Sequence, residues 1–435
     1  MNLDSREVAV YIHWPFCKSK CPYCDFNSHV AKSIDYDAWL KKYLSEIEKY
    51  RSYLINLKIK SIFFGGGTPS LMPPYIIEGI LNKINSISSI SNAEITCEVN
   101  PTSFEAKKML EFKSCGINRV SIGIQSFNDA SLKFLGRNHS SSEALEALKQ
   151  ISNSFDNYSF DLIYALPNQT LDEWMHELEQ AIKLNPKHIS LYQLTIEPDT
   201  KFAAQYKAKR FSLPPHDLGY DLFKYTNECL SSNGYRHYEI SNYSKPGFES
   251  IHNLNYWQYK SYIGIGPGAH GRIRCDCKPT FRSLLKILTE GNDSICNSVN
   301  NCNSTKNILA TSSIRSPSQW LTTDQTIEFE TLVGNEILQE ICLMGLRLDT
   351  GINLLYFKKL TDLDLISILY LKTKNQLHQF YLDYFEFFDP KENIAYPINK
   401  IITNTIQDDL YIRIKRPNIY ITDYLIAKLI EIITE

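Results

Sequence analysis

Apolar, β-branched runs recur through the first half of the chain at Val8–Phe16, Ser61–Phe64, Glu94–Val99, Arg119–Ile124, Phe160–Ala165 and His188–Ile196. Each is too continuous to be a strand with one wet face, and amphipathic stretches of helical period separate them. That alternation predicts parallel β/α units covered on both faces. Helix starts are marked where the scheme needs them: Thr102 with Glu105, Ser140 with Glu143 and Thr170 with Glu173 fit the capping box. Six units imply an α/β fold built as a partial (β/α)6 TIM-like barrel, spanning residues 1–235. After Glu328 the pattern turns helical, with Leu332, Ile337, Leu338, Ile341 and Leu346 at helix-like intervals. A smaller, mainly helical C-terminal domain over 328–435 follows from it. Residues 236–327 lie between, and the stretch from Cys275 to about Ser318, rich in Asn, Ser and Thr, is expected to be an irregular insertion.

Composition narrows the function classes. The 435 residues are 43% hydrophobic, enough for a large core, and 46 basic residues nearly cancel 48 acidic ones. No electrostatic footprint for nucleic acid results. The polar start, Met1 to Arg6, is unlike a signal peptide, and no run is long and apolar enough to span a bilayer. A cytoplasmic protein without an integral membrane segment is expected, its eleven cysteines mostly thiols or ligands.

The chemistry begins at Cys17, Cys21 and Cys24, immediately after the first apolar run. Thiolates bind zinc or iron–sulfur clusters, and both normally use four ligands. Three in one loop fit a four-iron cluster with one iron open to a small molecule, while His13 or His29 could complete a zinc knot instead. Other unusual residues fall at the C-terminal ends of the predicted strands, where parallel barrels place their functional groups. These are Gly65-Gly66-Gly67-Thr68-Pro69, Glu98, Asn100 and Gln125, with Asp161 inside the fifth run.

The spacing Cys-x3-Cys-x2-Cys, with Tyr23 before the last cysteine, resembles the radical S-adenosylmethionine superfamily. The likeness is greatest to the branch containing oxygen-independent coproporphyrinogen III oxidase and the haem chaperone HemW. It rests on Tyr11-Ile12-His13-Trp14-Pro15-Phe16-Cys17, Cys21-Pro22-Tyr23-Cys24-Asp25-Phe26, the glycine triplet with Thr68-Pro69, Glu98-Val99-Asn100-Pro101, Ser121-Ile122-Gly123-Ile124-Gln125-Ser126-Phe127 and Asp161-Leu162-Ile163-Tyr164-Ala165-Leu166-Pro167. The resemblance implies a 4Fe-4S cluster on Cys17, Cys21 and Cys24, with S-adenosylmethionine chelating the fourth iron. It further implies cofactor contacts from Tyr11, Gly66, Gly67, Thr68, Glu98, Gln125 and Asp161, and a carboxylate clamp from Arg137. Reduction of such a cluster splits S-adenosylmethionine into methionine and a 5′-deoxyadenosyl radical.

Within the branch, the oxidases carry a further cysteine two positions beyond the third ligand, where this chain has Phe26, and an N-terminal extension where this chain enters its first strand. Cys-Pro-Tyr-Cys-Asp-Phe-Asn-Ser and His252-Asn253-Leu254-Asn255-Tyr256-Trp257 resemble the HemW side, where the latter element is associated with haem. His252 and Tyr256, four apart on a helix, are the candidate haem ligands, and an ordinary core-packing role is the alternative. The resemblance therefore implies haem or porphyrin as ligand and a haem-acceptor protein of unknown identity as partner. A decarboxylating oxidase of porphyrin biosynthesis and an RNA-modifying radical enzyme are the rival readings. Gly264-Ile265-Gly266-Pro267-Gly268-Ala269 fits a dinucleotide fingerprint by letter but lacks its βαβ context, and tight turns are expected there. Cys275, Cys277, Cys296 and Cys302 are expected to be unpaired loop thiols, and Cys97, Cys115, Cys229 and Cys342 packing residues.

Overall fold

The computed structural model describes residues 6–55, 57–274, 308–372, 379–397 and 410–434. Cys275, Cys277, Cys296 and Cys302 lie outside them.

The predicted strands form β1 (Glu7–Trp14), β2 (Lys58–Gly66), β3 (Glu94–Val99), β4 (Arg119–Gln125), β5 (Tyr158–Tyr164) and β6 (His188–Gln193). Helices α1 (Tyr36–Lys49), α2 (Pro74–Asn85), α3 (Ser103–Cys115), α4 (Ser141–Ser152) and α5 (Leu171–Lys183) connect them, and α6 (His216–Ser232) follows β6. All five pairings in the order β1-β2-β3-β4-β5-β6 are parallel. In β1 only Glu7 and Tyr11 are other than buried, as expected for a strand covered on both faces. Tyr11 and His13, on one face of β1, line a common cavity.

The sheet is larger than the six units. Strands β7 (Arg236–Glu239) and β8 (Asn242–Ser244) extend it antiparallel beyond β6, in the order β6-β8-β7. At the other edge β9 (Tyr262–Ile265) pairs parallel with β1, Tyr11 opposite Gly264, followed antiparallel by β10 (His270–Arg274), β11 (Ile308–Ser313) and β12 (Ile327–Leu332). The result is one open twelve-stranded sheet, β12-β11-β10-β9-β1-β2-β3-β4-β5-β6-β8-β7. The segment expected to make only turns thus contributes a strand as well: a run of four residues with an internal glycine is too short to show a period.

Two of the three capping boxes form with both halves, Ser140/Glu143 and Thr170/Glu173. At α3, Thr102 accepts from the Glu105 amide, but the Glu105 carboxylate turns away to accept from the Asn100 amide (2.9 Å) and the Ser70 hydroxyl. That exchange ties the end of β3 to the turn after the glycine triplet. On α5, Glu177 does comparable work for β4: Ser126 Oγ and the Phe127 amide donate to its carboxylate at 2.5 and 2.6 Å.

A separate four-stranded antiparallel sheet, β13 (Ile352–Asn353), β14 (Phe385–Asp389), β15 (Ile394–Pro397) and β16 (Tyr411–Ile414), packs in the order β13-β16-β14-β15. Helices at Asn335–Gly345, Leu354–Thr361, Leu365–Lys372, Gln379–Tyr384 and Thr422–Thr434 accompany it, making the C-terminal region mainly helical. It has its own core around Ile341, Phe357, Tyr381, Ile412 and Leu425. No helix among the described residues is long and apolar enough to cross a membrane.

Candidate functional site

The C-terminal ends of β1 to β5 open into one pocket of about 210 Å3. Its wall contains Cys17, Cys21 and Cys24, Gly66, Gly67 and Thr68, Glu98, Gln125, Arg137 and Asp161. Tyr11 lies beside it, in a second cavity that shares Gly66 and Glu98 with the first. Sequence positions spread over 150 residues are therefore neighbours on one rim.

Two glycines of the triplet are required by the protein itself. Gly66 has φ +107°, and a Cβ there would stand 2.5 Å from the His13 ring. A Cβ on Gly67 would stand 2.7 Å from the Phe16 carbonyl oxygen. The Gly67 and Thr68 amides donate to the Trp14 and Phe16 carbonyls at 2.7 and 2.8 Å, pressing the glycine turn against the start of the cysteine loop. Gln125 ends β4 with φ +73°, a left-handed conformation uncommon outside glycine, beside an irregularity in the β4–β5 register. The clamp from Glu177 holds the strained turn.

Electrostatics concentrate on two acids. Burial, reinforced by the neighbouring Asp161, pushes the Glu98 carboxyl up to about 8, although the Gly66 amide donates to it at 3.2 Å. Burial likewise pushes Asp161 up to about 6. Burial is the leading cause for both carboxyls, and at Asp161 the nearby Arg119 and Arg137 offset only part of it. The Arg137 fork arrives from the other side: Nη2 donates to Asn100 Oδ1 (2.7 Å) and the Gly123 carbonyl (2.8 Å), while Nη1 lies 3.5 Å from Cys21 Sγ. An acid raised on folding binds protons in the native state that it releases on unfolding, so stability falls as pH rises from the unfolded carboxyl range through 8. Urea midpoints are expected to drop between pH 6 and 8.5, and Glu98→Gln to flatten that drop. An equal drop in the variant would assign it elsewhere.

All described cysteines are free thiols, and burial pushes those of Cys17 and Cys24 upward. Cys97 and Cys342 are fully buried in the cores, and Cys115 and Cys229 are partly buried against them. Of the two histidines weighed for a zinc knot, His13 is engaged at both nitrogens and His29 at one. The His13 nitrogens are engaged by Tyr11 Oη (3.0 Å) and the Asn27 carbonyl (2.9 Å), and His29 Nε2 lies 3.1 Å from Asn27 Oδ1. Among the described residues no group of three His, Cys, Asp or Glu side chains is arranged to hold a single ion.

His252 is packed in the core in this arrangement. It is 1% exposed, with Nδ1 2.8 Å from Ser61 Oγ and Nε2 2.8 Å from Tyr256 Oη, and its ring stacks on Phe63. Burial, with Arg119 nearby, lowers it to about 3, so it is a neutral core residue in this arrangement with neither nitrogen open to iron. The two residues do share a helical face, α7 (Ile251–Trp257), but that face is satisfied internally. Tyr256 and Trp257 line the second cavity, of about 530 Å3, together with Phe26, Tyr259, Tyr262, His270, Arg272, Arg315 and Met344. The motifs did not single out Asn100 as the partner of Arg137, nor His270 and Arg315. His270 directly follows the glycine-rich turn, and Arg315 carried no signal in the sequence.

A parallel sheet carrying three cysteines, a glycine turn and paired acids on its C-terminal rim defines a radical S-adenosylmethionine protein. The Radical SAM superfamily model matches residues 11–181. The chain is 42% identical over 269 residues to the heme chaperone HemW of Escherichia coli, covering 61% of this chain and 70% of that one. It is 45% identical over 273 residues to HemW of Haemophilus influenzae, with the same coverage, and 33% identical over 350 residues to the mitochondrial radical S-adenosyl methionine domain-containing protein 1 of Bos taurus, covering 80% and 75%. Among solved structures, coproporphyrinogen III oxidase (HemN) of Escherichia coli superposes with TM-score 0.70 over 98% of this chain and 90% of its own, at 18% identity, which establishes a common fold. Within the radical S-adenosylmethionine superfamily the chain belongs to the HemW family. Membership of the superfamily implies a 4Fe-4S cluster and S-adenosylmethionine.

Proposed function

We propose that this protein is a cytoplasmic haem chaperone: it binds haem and passes it to an acceptor protein, with a 4Fe-4S cluster and S-adenosylmethionine as resident cofactors. The observation that carries the reading is the 42–45% identity to chaperones named HemW, spread over 61% of the chain. Residues 1–235 would be the cofactor-bearing core, 236–327 the haem-related region and 328–435 a covering domain.

The chain's residues suit these groups. Cys17, Cys21 and Cys24 offer three soft donors in one loop, leaving one iron for the cofactor. Gly66 and Gly67 bring bare backbone to the rim, Thr68 and Gln125 would add polar contacts, and Tyr11 lies beside them in the adjoining cavity. Glu98 and Asp161, raised by burial, would regain their charge beside a sulfonium compound. Arg137, already oriented by Asn100 and Gly123, would present its outer edge to a carboxylate. When bound, the cluster supplies an electron to S-adenosylmethionine; the protein binds, orients and excludes water.

The second cavity continues from the first through Gly66, Glu98 and Phe26, and Phe26 itself is 57% exposed. Its volume and aromatic wall suit a flat macrocycle. An oxidase reading shares this fold, but Phe26 stands where that branch has its additional cysteine. Titration of cluster-replete protein with ferric haem is expected to saturate at one haem per chain with a shifted Soret band. A spectrum indistinguishable from haem in buffer would reject the chaperone reading.

A further inference from the structure

We propose that His270 is the axial ligand of the haem and that Arg315 is the partner of a haem propionate. The inference rests on the haem-binding reading and specifies its site.

The cavity beside the cluster pocket contains two histidines, His13 and His270. Both nitrogens of His13 are engaged, by Tyr11 and the Asn27 carbonyl. His252, outside the wall, is sealed between Ser61 and Tyr256. His270 is different: it is exposed, it opens β10, and its imidazole has no hydrogen-bond partner among the described residues. Partial burial and the nearby Arg272 and Arg315 also lower its pKa, which keeps the ring neutral and its lone pair available.

Of the four tyrosines on the same wall, Tyr11, Tyr256 and Tyr259 are hydrogen-bonded through Oη, and burial raises the pKa of Tyr262, which keeps it a neutral phenol. Tyr256 Oη is held by His252, and Tyr259 Oη donates to Glu340 at 2.6 Å. Met344 adds a thioether to the same wall.

The charged groups sort in the same way. Arg272 spends its fork on Glu340, at 2.9 and 2.8 Å. Arg315 is exposed, and its guanidinium forms no ion pair with a described residue, so it is suited to a carboxylate of the ligand. Asn27, three residues beyond Cys24, holds both elements in place: its Nδ2 donates to the Pro267 and Arg315 carbonyls, each at 2.9 Å. The loop that carries the cysteines is thus tied to the turn that presents His270 and to the backbone of Arg315.

The test uses full-length, cluster-replete protein titrated with ferric haem and followed by absorption and electron paramagnetic resonance. The wild type is expected to show nitrogen-ligated haem. His270→Ala is expected to lose that signature and about tenfold or more in affinity, and added imidazole to restore the spectrum. Arg315→Gln is expected to weaken binding without changing the ligand field. His270 is exposed, so far-ultraviolet circular dichroism and iron content should match the wild type, and His252→Ala is expected to keep the nitrogen-ligated spectrum. Haem bound to His270→Ala with the wild-type spectrum and affinity would overturn the assignment while leaving the chaperone reading standing. Failure of the wild type to bind haem would remove both.

Discussion

Replacing Cys21 with alanine is expected to abolish the iron–sulfur centre: less than one iron per chain after anaerobic reconstitution, and no visible charge-transfer absorption. A cluster held by Cys17, Cys21 and Cys24 would have no spare protein ligand. Of the nearby histidines, His13 is engaged at both nitrogens, by Tyr11 and Asn27, and His29 at one, by Asn27. Cys97, the buried cysteine of β3, is fully enclosed, and burial pushes its thiol well above the ordinary range. The loss should be local, since Cys21 is half-buried in a loop outside the hydrophobic cores. Iron and sulfide analysis checks it. A variant that retained four irons would show that Cys21 is not a ligand.

Arg137→Ala is expected to cost S-adenosylmethionine binding about a hundredfold in cluster-replete protein. Truncating one member of a hydrogen-bonded charge pair away from solvent typically costs about 2–5 kcal/mol, much of it from the partner left unpaired. Here the loss would also strand Asn100 Oδ1 and the Gly123 carbonyl, both now served by Nη2. Arg137→Lys should recover little, because a point charge cannot serve those two acceptors and a carboxylate together. Equilibrium dialysis, with iron content as control, measures the effect. Wild-type affinity in both variants would remove Arg137 from the site.

The rim was legible because its residue types are costly anywhere else. Three cysteines at fixed spacing, a glycine triplet and isolated acids at the ends of apolar runs have few ordinary uses, and parallel strands bring such positions together. The six β/α units were legible for a related reason, since strands buried on both faces show as unbroken apolar runs. Three features were not. Strand β9 is four residues long and contains Gly264, so no period marks it. The Glu105 carboxylate looks like half of a capping box, yet its partners are Ser70 and the Asn100 amide, which only the folded chain brings near. His252 carries a family pattern that says nothing of which way the ring points; burial against Phe63 and Ser61 decides that. His270 fails the opposite way, being an ordinary residue by sequence and an unpartnered imidazole by structure.

The most direct measurement is on anaerobically reconstituted protein supplied with coproporphyrinogen III, a reductant and S-adenosylmethionine, with porphyrin products resolved by mass spectrometry. The account predicts no decarboxylation from a protein with a full cluster. Loss of two carboxyl groups, with matching 5′-deoxyadenosine, would contradict it and make the protein a biosynthetic oxidase.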